Sequence, residues 1–180
     1  MTTSCAQLPY QSIPDYPEDF TAGNVISRTI DGLGYRYFWA TEALRPEDLT
    51  YKPSEDARDV MHTLEHIHGL SEMIVNAVLK KPNIRPSEEK EMSFEDLRKK
   101  TLKNLEKASK SVLGKTADEV NEMNVIFQRG DNKSEYPFWH ILNGPVADAL
   151  WHTGQVVSFR RASGNPLNPK VNVFSGHTKH

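Results

Sequence analysis

Between Phe20 and Leu44 the apolar residues Ile26, Ile30, Leu33, Tyr37, Ala40 and Leu44 recur at alternating intervals of four and three. That period puts all six on one stripe of an α-helix, whereas a strand would scatter them over both faces. A helix with one apolar stripe needs partners that bury it, and the chain carries three more such segments. Asp59 is placed to cap a second helix with Val60, Leu64, Ile67, Ile74 and Val78, running to about Lys80. Ser93, with Asp96 three residues on, opens a third that carries Leu97, Leu102, Leu105, Ala108 and Val112 and stops at Gly114. Thr116 and Glu119 suit a short extra turn, and the polar run from Gln128 to Lys133, inside Asn124 to Glu135, reads as a loop. A fourth helix starts near Pro137 and ends at Gly164, with Pro145 as a kink.

Four long helices predict an all-α fold, a four-helix bundle with extended N- and C-terminal segments. At 180 residues with 37% hydrophobic content, residues 1–180 form one domain with one core, the bundle spanning about 20–164. Pro9, Pro14 and Pro17 predict an N-terminal arm, 1–18, extended on the surface. The tail, 165–180, with Val171, Val173 and Phe174, is expected to be extended along the bundle.

The net charge of −2 lacks the basic field that nucleic acids and anionic membranes attract, so neither is an expected partner. No basic start with an apolar core opens the chain, and no apolar run spans a bilayer, which predicts a soluble, cytoplasmic protein. The lone Cys5 has no internal disulfide partner and no neighbour that would activate its thiolate.

On the fourth helix Pro145, Asp148, His152, Gln155 and Phe159 advance by threes and fours, a stripe that is polar in its middle. Asp148 and His152, four apart, can converge on one point. His66 shares a face of the second helix with Thr63, Leu70, Met73 and Ala77 and can supply a further donor from across the bundle. Imidazole nitrogens and a carboxylate oxygen suit a divalent transition metal and leave a coordination position open. An ordinary helix-surface Asp–His contact is the other reading of the same spacing. His62, one turn before His66, is a reserve ligand; His68 faces elsewhere, and His140 points at the pocket only if the helix is straight. His177 and His180 are tail residues expected in solvent. Trp139, Trp151, Tyr37, Trp39 and Phe159 either wall a cavity or are plain core. Arg160 and Arg161 oppose the dipole of the fourth helix.

Glu65-His66-Ile67 with Gly69 and Glu72, then Trp151-His152-Thr153-Gly154-Gln155 with Arg160, Arg161 and Gly164, resemble the DinB/YfiT-like superfamily of metal-dependent four-helix-bundle enzymes. The resemblance runs from about Phe20 to Gly164 and implies a metal triad of His66, Asp148 and His152. Many members have histidine where this chain has Asp148, and an acidic residue there resembles the mycothiol-dependent isomerase branch. The superfamily includes S-transferases that use low-molecular-weight thiols such as bacillithiol or mycothiol, and homodimers are common in it.

The resemblance thus implies a metal-dependent enzyme acting on a small-molecule substrate, foremost a thiol-dependent S-transferase. Its ion would be zinc, nickel, iron or manganese, with Gln155 orienting a ligand or water. Metal-dependent hydrolysis is one alternative. A non-enzymatic stress-related ligand-binding or scaffold protein is the other.

Overall fold

The computed structural model describes residues 7–86 and 91–179, so Cys5 and His180 lie outside the described residues. The chain order is α1 (Ala22–Thr41), α2 (Pro46–Leu49), α3 (Val60–Val78), β1 (Pro82–Ile84), α4 (Phe94–Val112) and α5 (Ala117–Asn121). Next come β2 (Asn124–Arg129), β3 (Asn132–Pro137), α6 (Trp139–Ile141), a π-helical turn (Leu142–Val146), α7 (Ala147–Ala162), β4 (Val171–Asn172) and β5 (His177–Thr178). The predicted caps form: Asp59 accepts from the His62 amide, Ser93 from that of Asp96, and Thr116 with Glu119 makes a reciprocal box. Gly114 and Gly164 take the left-handed conformation past α4 and α7, at φ +77° and +81°.

The all-α expectation is wrong. The chain is about 54% helix and 11% strand, with a three-stranded and a two-stranded sheet. The segment read as a loop is a hairpin, because Val125, Ile126 and Phe127 are a β-branched and aromatic run and Gly130, at φ +55°, permits a two-residue turn. β1 joins it in parallel, Asn83 opposite Phe127, and Pro82 sits at the first strand position, where its missing N–H does no harm. The tail likewise folds into the β4–β5 hairpin.

The long helices pack in a ring, α1 against α4, α4 against α3, α3 against α7 and α7 against α1. Ile30, Leu33 and Tyr37 of α1 meet Leu64, Ile67 and Ile74 of α3 and Leu97, Leu102 and Leu105 of α4 in the core. α7 presents mainly small side chains inward, Ala149, Thr153 and Val156, and then Arg160.

The N-terminal arm, expected on the surface, is anchored on the α1/α4 side. Tyr10 is buried, its hydroxyl donates to Asp31 Oδ1 at 2.9 Å, and its ring fills the space where Gly34 has no side chain. The Ile13 amide donates to Gly176 O at 2.9 Å, joining arm and tail.

Arg160 does more than oppose a dipole. Its buried guanidinium donates to Trp39 O at 3.0 Å and Ala40 O at 2.9 Å, carbonyls in the last turn of α1, and to Asn165 O at 2.8 Å. Beside it the fully buried Asp48 carboxylate accepts from Arg45, from Ser163 Oγ at 2.6 Å and from Asn165 Nδ2 at 2.6 Å. Those bonds, Arg45 foremost, hold the Asp48 carboxyl well below the usual carboxylate range.

A carboxyl depressed in the folded state stabilises the fold above its unfolded pKa of about 3.9, and that contribution fades as pH falls towards the folded value. Asp48→Asn is therefore expected to lower stability at pH 7 by about 1–3 kcal/mol, a deficit that shrinks at about pH 3. Urea denaturation of both proteins at the two pH values checks this.

Candidate metal centre

Pro145 lacks the N–H that a regular helix would use and its ring would meet the carbonyl four residues back; the wider π turn of Leu142–Val146 accommodates it. One extra residue in a turn rotates the upstream residues by roughly 100° relative to the downstream helix. That breaks the row from His140 to Asp148: His140 is exposed and packs edge-on against Tyr136, ring centroids 5.6 Å apart. Past the turn, α7 is regular and aims Asp148 and His152 at α3.

There they meet His66. His66 Nε2 lies 3.0 Å from Asp148 Oδ2 and His152 Nε2 lies 3.3 Å from Asp148 Oδ1. The two imidazoles are perpendicular, centroids 4.7 Å apart. One ligand atom from each of the three residues falls within 4.8 Å of the other two. The side chains are 36%, 39% and 20% exposed for His66, Asp148 and His152, so the cluster opens on the surface.

The proton positions are set by the neighbours. His152 Nδ1 donates to Gln155 Oε1 at 2.7 Å, an assignment that leaves the neutral ring's Nε2 as a lone pair facing Asp148. A lone pair 3.3 Å from a carboxylate oxygen needs a positive charge between or upon them. A divalent ion meets that need, since bonds of about 2.0–2.2 Å separate its donors by about 3–3.5 Å. The donor set thus fits a divalent metal ion.

The remaining described histidines do not join. His62 is 67% exposed on its side chain, and its Nδ1 lies 2.7 Å from Asp59 Oδ1, the cap of its own helix. That carboxylate, by hydrogen bond and charge, raises the His62 pKa above the ordinary value. His68 faces α4, its Nδ1 3.1 Å from Thr101 Oγ1. His177 is exposed, as expected. Trp139 and Trp151, offered as cavity walls, are each 72% exposed, while Tyr37 is core. Sequence reasoning missed Tyr51, which stacks at a tilt on Phe159 with centroids 5.9 Å apart; nothing in its polar connection singled it out.

The molecule is thus a mainly helical protein with a two-histidine, one-carboxylate cluster facing outward between α3 and α7. The chain belongs to the DinB family, whose model matches residues 33–172, both cluster-bearing helices included. Among solved structures, a DinB-like protein from Bacillus subtilis is similar in fold, with a TM-score of 0.59 at 15% identity, over 81% of this chain and 96% of that one. No curated protein matches the chain. Among the described residues no helix is long and apolar enough to cross a membrane.

Because Gln155 fixes the His152 ring, Gln155→Leu is expected to weaken metal binding about 10–100-fold, whereas His62→Ala leaves it unchanged. Competition with a chromogenic chelator measures both.

Proposed function

We propose that this protein is a divalent-metal-dependent enzyme that joins a low-molecular-weight thiol to a small electrophilic substrate, with His66, Asp148 and His152 holding the ion. The observation that carries the metal reading is the convergence of three donors from α3 and α7 around a carboxylate whose oxygens each face an imidazole Nε2. The choice of thiol transfer draws on the resemblance to superfamily members that use such thiols.

When bound, the ion supplies Lewis acidity that lowers the pKa of a thiol at the open position. The chain's residues do the rest. Gln155 Oε1 holds the Nδ1 proton of His152 and with it the direction of the ring. That bond makes Gln155 a positioning residue for the His152 ring. Asp148 is the anionic donor, and its exposed flank, shared with His66, is the side from which thiol and electrophile approach.

Untagged protein stripped and reconstituted with zinc, nickel, iron or manganese is expected to retain one equivalent of ion by elemental analysis, and His66→Ala and His152→Ala to retain little. The loaded protein should then consume thiol and an activated aryl halide together. Stoichiometric metal with substrate turnover in the absence of thiol would replace transfer by hydrolysis. No retained metal would end the proposal at its first step.

A further inference from the structure

The cluster does not open onto featureless surface. Trp151 stands three residues after Asp148 and four before Gln155, the spacings that make helix residues neighbours, and its indole is 72% exposed. An indole left in water forgoes much of the burial that makes aromatic residues dominant in binding sites, so its place beside the cluster is informative. At one end of the same stripe, one turn beyond Gln155, Phe159 is partly buried and packs on Tyr51, centroids 5.9 Å apart at 52°. Tyr51 is held in place by its backbone, whose carbonyl accepts from the Val60 amide at 3.1 Å where α3 begins. The polar donors are therefore flanked by an exposed indole on the outer side and an aromatic pair beyond Gln155.

We propose that Trp151 forms an aromatic subsite beside the His66–Asp148–His152 centre, so that the molecule bound there carries a planar apolar group next to its metal-directed group. The inference rests on the metal reading above and specifies its substrate class. A ring laid against Trp151 removes apolar surface of both partners from water, which a purely polar or methyl-sized substituent cannot match. In this arrangement the cluster binds the reacting end and Trp151 selects the body of the molecule.

Two metal-chelating probes that differ only in that body test the assignment: benzohydroxamate carries a phenyl ring, acetohydroxamate a methyl group. Each is titrated by calorimetry into zinc-loaded wild-type protein, Trp151→Ala and Phe159→Leu. Wild type is expected to prefer benzohydroxamate about tenfold. Trp151→Ala, whose truncation at an exposed position leaves the core intact, should bring the ratio of the two affinities to about one, whereas Phe159→Leu, about 12 Å further along the helix, should leave it near the wild-type value. Equal affinities in wild type, or an unchanged ratio in Trp151→Ala, with one zinc retained, would overturn the aromatic subsite and leave the metal centre standing. Failure of wild type to retain zinc would overturn the metal reading and the subsite with it.

Discussion

The Arg160 guanidinium is the contact on which the geometry of this molecule turns. α7 carries two of the three cluster residues, yet it offers the core little apolar bulk: Ala149, Thr153 and Val156 are small beside the leucines and isoleucines of α3 and α4. Apolar burial scales with area, so that stripe alone would hold α7 weakly and fix its axial position poorly. Arg160 supplies what is missing. It bonds carbonyls in the last turn of α1, groups with no partner inside their own helix, and does so with a rigid, charged fork. The C-terminal ends of α1 and α7 meet there, and a cation between two negative helix ends is favourable where a neutral side chain would not be. His152 lies two turns up the same helix, so the register set at Arg160 is the register at which His152 and Asp148 reach His66.

Around the ring, the two faces of the molecule are used differently. On the α1/α4 side the arm seats Tyr10 over Gly34 and Asp31, and the tail hairpin is pinned to it through Ile13 and Gly176. The Tyr10 hydroxyl and the Ile13 amide are satisfied inward there. On the α3/α7 side the stripe Asp148, His152 and Gln155 is left half-exposed. One half of the bundle is thus sealed by its own termini while the other keeps its polar residues open.

Much of this was legible because it is local. Helix periodicity, the Asp59 and Ser93 caps and the Asp148/His152 spacing are set within a few residues of sequence, and each appears in the structure. His66 was legible as a polar residue on a mostly core-like face. What escaped depends on partners far along the chain. Val125 to Phe127 became a strand because β1, some forty residues earlier, pairs with it. The short stretch around Gly130 reads as a polar loop until that pairing is known. The π turn hid for a different reason: Pro145 announces a disruption, but whether it is a kink or an inserted residue is decided by packing, and only the second removes His140 from the site. Arg160 looked like a helix-end cation because its true acceptors lie on another helix.

Asp148 has a structural consequence beyond its charge. A neutral imidazole offers a single acceptor nitrogen. A carboxylate has two oxygens, and in this chain each addresses a different imidazole, Oδ2 towards His66 and Oδ1 towards His152. With Gln155 holding the far nitrogen of His152, the rings are aimed by a chain of polar contacts that runs from α7 to α3. The carboxylate would also offset one charge of a divalent ion held there, which two imidazoles alone would not.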